Sequence, residues 1–146
     1  MSKQDLIAKA STTIDAPIER VWDALTNPEL IKQFMFGTEA VSDWKVGKAI
    51  VWKGIWQGKH YEDKGTILKM EAPHLLQYSH FSPLSGVPDV PENYHTLTYM
   101  LTAKGDKTLV ELSQDNNSSE EEVQHSKGMW EQLLVSLKKV LEEKGD

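Results

Sequence analysis

Five histidines, four tyrosines, five tryptophans and 22 carboxylates are the side chains through which this 146-residue chain could do chemistry. Cysteine is absent, which removes disulfides, thiolate nucleophiles and thiolate metal sites. No two of His60, His74, His80, His95 and His125 have the H-x-x-x-H spacing of a helical metal site. His60 and Glu62 alternate onto one strand face without an evident third ligand, so neither metal nor cofactor is expected. His80 shares a strand face with Leu76 and Tyr78. There an imidazole would serve as a polar anchor for a ligand or as a general acid/base. The more frequent fate of such a histidine is a hydrogen-bonded core residue. No serine or threonine pairs with it as a nucleophile, so no catalytic residue is assigned, and the chain reads as a binding protein rather than an enzyme.

The elements that must position these groups are legible from periodicity. Leu6 to Ile14 alternates, with Ala8, Ala10 and Ile14 on one side, and reads as a strand. Pro17 opens a helix carrying Ile18, Val21, Trp22 and Leu25 at helical spacing. Trp22 is expected between that helix and the sheet. Asn27-Pro28-Glu29 opens a second helix, to about Phe34, with a capping side chain, Pro at the first helical position and a carboxylate near the positive end of the dipole. From Glu39 to Asp115 the period is that of strands. Ile50, Trp52 and Trp56 fall on one face, Leu76, Tyr78 and His80 on another, and Leu97, Tyr99 and Leu101 on a third. Ser82 to Asn93, with three prolines and a glycine, reads as a long, mobile loop at the mouth of a cavity. Gly105-Asp106-Lys107 reads as a hairpin turn.

The last segment returns to a helical period. Ser118 with Glu121, or Ser119 with Glu122, forms a capping box. Val123, Trp130, Leu133, Leu134, Leu137, Val140 and Leu141 then make one stripe, ending near Gly145. Such a helix is roughly 40 Å long at about 1.5 Å per residue, enough to cross a small sheet. Ser126 and Lys127 in its first turns suggest a solvated entrance beneath them. Antiparallel strands with terminal helices are the α+β class.

Ile14-Asp15-Ala16-Pro17-Ile18-Glu19-Arg20-Val21-Trp22-Asp23-Ala24-Leu25-Thr26-Asn27-Pro28-Glu29 closely resembles the opening of START-like (SRPBCC) proteins. Within them it is most similar to the AHSA-type branch, named after an activator of a heat-shock-protein ATPase. Val46-Gly47 and Gly128-Met129-Trp130 leading into Leu133-Leu134-Leu137 match in order, so the resemblance spans nearly the whole chain. It implies a helix-grip fold: a curved seven-stranded antiparallel sheet around a long C-terminal helix, in the order β-α-α-β-β-β-β-β-β-α, with an apolar cavity between. The scaffold carries lipid binders, hormone receptors, cyclases and co-chaperones, so it does not select a function. The eukaryotic co-chaperones of that branch carry a separate N-terminal ATPase-stimulating domain. This chain begins almost at its first strand, and a single domain over residues 1–146 is expected.

Composition narrows the partners. A net charge of −6 repels phosphate backbones and anionic membranes, so neither nucleic acid nor a membrane is expected. The polar start and the lack of a long apolar run suggest neither signal peptide nor spanning helix, and a cytoplasmic location is the expectation. The expected partner is an apolar small molecule, aromatic or lipid-like, bound by a monomer or homodimer. Trp52, Trp56, Tyr78, His80, Tyr99, Trp130 and Leu133 are the expected ligand contacts. A stress-related co-chaperone-like domain and a cyclase- or hydrolase-type enzyme using the same cavity are the alternatives.

Overall fold

The computed structural model describes residues 6–35, 37–56, 58–83, 86–117 and 119–143, with the side chains of Trp56 and Glu143 outside the described part. The elements run β1 (Ala8–Ile14), α1 (Ile18–Thr26), α2 (Pro28–Phe34), β2 (Glu39–Ser42), β3 (Ala49–Trp56), β4 (Lys59–Glu71), β5 (Leu75–His80), β6 (His95–Lys104), β7 (Lys107–Gln114) and α3 (Glu120–Glu143). The strands form one seven-stranded sheet in the order β1-β7-β6-β5-β4-β3-β2, antiparallel throughout. This is the helix-grip architecture that the sequence implies.

Alternation sets what faces α3. In β7, Thr108, Val110, Leu112 and Gln114 are buried while Lys107 and Glu111 are exposed. The register carries the same face into β1 through Ala10 opposite Leu112 and Ile14 opposite Thr108. Two glycines let the sheet bend. A Cβ on Gly65 would lie 1.7 Å from the Ser79 carbonyl oxygen, so only glycine fits between β4 and β5 there. A bulge follows between Ile67 and Lys69 and adds local twist. A Cβ on Gly54 would strike the ring of Tyr61, so this glycine lets Tyr61 lie across β3.

The helices lock onto this surface by their caps. Asn27 Oδ1 accepts from the Glu29 amide at 3.0 Å and starts α2. Ser119 Oγ accepts from the Glu122 amide at 3.1 Å, which selects the second of the two capping registers; Ser118 and the expected stop at Gly145 lie outside the described residues. Ile18, Val21, Ala24 and Leu25 bury one face of α1. Trp22 is half-buried against the core rather than enclosed by it.

α3, with 24 residues, is tied down at both ends. Buried Asn117 donates to the carbonyls of Leu6 and Gln114 and accepts from Ser126 Oγ at 3.2 Å. Ser126 therefore marks a polar joint between the start of α3, β1 and β7, not the solvated entrance that its polarity suggested. At the other end Arg20 Nη2 donates to the Leu141 carbonyl at 2.9 Å, supplying a cation to the negative helix end. Lys138 Nζ donates to the Thr13 carbonyl, and the Asp15 amide to Glu142 Oε2.

The segment between β5 and β6 is anchored too. Lys64 pairs with Asp89, Tyr94 donates to Asp89 Oδ1 at 2.6 Å, and Tyr94 stacks on Phe81 with centroids 5.1 Å apart. Asn93 Nδ2 donates to the Pro88 carbonyl, and Asn116 Nδ2 to the Glu92 carbonyl. The half of this loop nearest β6 is thus bonded into place, which the prolines alone did not indicate.

Candidate ligand cleft

The aromatic residues singled out from the sequence separate into two groups. Trp52, Tyr78 and Tyr99 come from β3, β5 and β6 and are all buried. Trp52 and Tyr78 have ring centroids 5.0 Å apart, and Tyr78 and Tyr99 6.0 Å, both in the range of favourable tilted pairs. The Tyr78 hydroxyl donates to the Tyr99 hydroxyl at 3.3 Å. Burial, reinforced by Tyr99, holds the Tyr78 phenol well above its usual range, and burial pushes Tyr99 up to about 12. Both are neutral hydrogen-bonding groups at any physiological pH.

These three rings border a void of about 10 Å³, closed by Leu25, Ile31, Phe34, Met35, Trp44 and Ile50. That is about the space of a single water. The interior behind α2 is therefore filled: Phe34, Met35 and Trp44 reach into the concavity that the curved sheet would otherwise leave open.

Trp130 and Leu133 lie elsewhere. With His125 and Met129 of α3 they roof an open cleft of about 530 Å³. Tyr61 and Asp63 of β4, Ile55 at the exposed end of β3, Met35, Thr38 and Ser82 also line it. The Trp130 indole N–H donates to buried Gln114 Oε1, which fixes the ring at the cleft wall. The Tyr61 hydroxyl, lying over Gly54, shares a 2.6 Å hydrogen bond with Thr38 Oγ1. Met35 belongs to both the cleft and the inner void, so it stands between them.

His80 borders neither space. It lies beside the Trp52 ring with centroids 5.1 Å apart, and its Nε2–H donates to Asp63 Oδ2 at 2.9 Å. It is a hydrogen-bonded, half-buried histidine that orients the carboxylate in the cleft. The side chain of Trp56 is outside the described residues. Met35, Thr38, Tyr61, Asp63 and Met129 were not anticipated. Tyr61 and Asp63 had a signal: they alternate with Glu62 onto the face whose register partners are Gly54 and Trp52.

A second groove, of about 550 Å³, runs by β1, β6, β7 and α3, but Lys9, Glu111, Lys127 and Glu131 line it. In the cleft, Asp63 is the single Asp, Glu, Lys or Arg among the described lining residues. None of the described helices is long and apolar enough to cross a membrane.

Solved structures share this architecture. The solution structure of ChR145 from Cytophaga hutchinsonii is 60% identical, with a TM-score of 0.83 and 94% of each chain covered. CalU16 from Micromonospora echinospora is 24% identical, with a TM-score of 0.70 over 92% of this chain and 83% of that one. The Aha1 dimer from Colwellia psychrerythraea is 19% identical, with a TM-score of 0.71 over 92% of this chain and 95% of that one. At the latter two identities the likeness is one of fold. Comparison with curated protein sequences gives no match. The family model described as "Activator of Hsp90 ATPase homolog 1-like protein" matches residues 15–142, and the chain belongs to that family.

Proposed function

We propose that this protein binds an apolar small molecule, aromatic or lipid-like, in the cleft beneath the first half of α3. The observation that carries the reading is the cleft itself. Its volume of about 530 Å³ lies within the roughly 300–1,000 Å³ usual for small-molecule sites. Its walls are largely apolar, with a few polar groups held by defined hydrogen bonds. Met35 and Met129 are flexible and polarizable, which suits contact with rings of varied shape. Trp130 and Leu133 remain the ligand contacts expected from the sequence. Trp52, Tyr78, Tyr99 and His80 support the site from behind.

Tryptophan fluorescence tests the reading, because Trp130 is on the cleft wall. A panel of apolar ring compounds should give saturable quenching that Trp130→Ala weakens. Quenching that never saturates, or that Trp130→Ala leaves intact, would remove the proposal. A hydrolase-type reading has less behind it: Ser82 lines the cleft, but among the described residues His80 Nε2–H is given to Asp63. The family description keeps a co-chaperone-like reading in play, with exposed Ile55 and Met129 on the cleft as its contact surface. Binding of a chaperone ATPase, blocked by Met129→Glu and insensitive to small ring compounds, would favour it.

A further inference from the structure

Asp63 is half satisfied. Its Oδ2 accepts from His80, while its Oδ1 is buried and accepts no hydrogen bond among the described residues. A carboxylate oxygen removed from water without a donor is unfavourable. The Tyr61 and Thr38 hydroxyls share one hydrogen bond in which either can donate, and His80 Nε2–H is given to the other oxygen. The described lining residues include no Lys or Arg; His125 also lines the cleft, and His80 pairs with the carboxylate when protonated. Lys64, next in sequence, alternates to the opposite strand face and is paired with Asp89.

We propose that the cleft takes an apolar ring system carrying a protonated amine, with the ammonium on the Asp63 carboxylate and the ring along Met129, Trp130 and Leu133. This rests on the binding reading above and adds the chemical class of the ligand. An ammonium would meet the one Asp or Glu among the described lining residues, whose side chain keeps 17% exposure although Oδ1 itself is buried, and charge-assisted hydrogen bonds are about twice as strong as neutral ones. The wall accounts for the rest of such a molecule, since ring burial next to an indole is favourable through area and ring contact. His80 is a positioning residue that holds the carboxylate through Oδ2.

Isothermal titration with three naphthalene probes separates the possibilities: 1-naphthylmethylamine, 1-methylnaphthalene and 1-naphthylacetate. The amine is expected to bind the wild-type protein about tenfold or more tighter than the acetate. In Asp63→Asn its advantage over methylnaphthalene should shrink to within about threefold. In wild-type protein the Asp63 carboxyl carbon resonance should move on adding the amine and not on adding methylnaphthalene, a measurement that does not depend on the variant folding. Equal binding of all three probes, an amine preference that survives Asp63→Asn, or an unmoved resonance would overturn the amine assignment and leave the cleft as an apolar site. If none of the three binds, the amine assignment falls together with the reading it rests on.

Discussion

The Trp130 indole N–H donates to Gln114 Oε1, joining the helix that roofs the cleft to the end of β7. Gln114 is buried, so its amide oxygen depends on this donor. Trp130→Phe keeps much of the ring and removes the N–H. It should cost about 1–3 kcal/mol, the usual penalty for stranding a buried acceptor. Urea unfolding checks this, and Gln114→Leu on top of Trp130→Phe should recover part of the loss. An additive second loss would mean that Gln114 does something other than hold the indole.

Trp52 behaves differently because it sits in the core. It is 4% exposed and touches Tyr78 and His80 rather than the cleft. Trp52→Ala should destabilise the fold by about 3–5 kcal/mol. Trp130→Ala strands Gln114 as Trp130→Phe does, at about 1–3 kcal/mol, and with its half-buried ring gone should also lower ligand affinity, which Trp52→Ala should not do directly. Thermal melts and ring-compound titrations of the two variants, with Glu121→Ala as a surface control, should separate them. A stable Trp52→Ala protein would contradict the filled interior.

The buried tyrosine pair predicts alkaline sensitivity. Burial raises both phenols above the unfolded value of about 10, Tyr99 to about 12. A raised folded value means that the native state holds a proton the unfolded state has already released. The contribution is therefore complete below about pH 10 and declines as pH rises from there through about 12. Urea midpoints at pH 9, 10 and 11 should fall more steeply in the wild type than in the Tyr78→Phe/Tyr99→Phe double variant. Identical slopes would show that neither phenol is buried in solution.

The anchored loop gives a dynamic prediction. The amide N–H groups of Val90, Asn93 and Tyr94 donate to the carbonyls of Pro88, Val90 and Pro91. Their hydrogen exchange should be slowed without any ligand present. Asp89→Ala removes the acceptor that Lys64 and Tyr94 share, and exchange at these three amides should speed up. Fast exchange in the wild type would make this segment the mobile loop that its prolines suggest.

Much of the fold could be read along the chain, because period carries which way a side chain points. The switch from the helical spacing of Ile18, Val21 and Leu25 to the alternation of Leu97, Tyr99 and Leu101, and back to helix at Leu133, Leu134 and Leu137, defines an α+β order. The buried residues fall on those positions. Caps at Asn27 and Ser119 work through neighbours two and three residues away, so local sequence suffices for them.

The site depended on distances between layers, which no period contains. Whether Trp52, Tyr78 and Tyr99 enclose a cavity or a core is decided by how far Phe34, Met35 and Trp44 reach into the concavity, a small difference between large volumes. Ser126 looked like part of an entrance because its partner, Asn117, meets it only once β7 turns into α3. His80 and Asp63, 17 residues apart in sequence, come together across the curved sheet. Residue types and alternation determined on their own that aromatic faces would meet a long helix. Only the tertiary fold decided which aromatic residues became core, which became wall, and which carboxylate was left with a free oxygen.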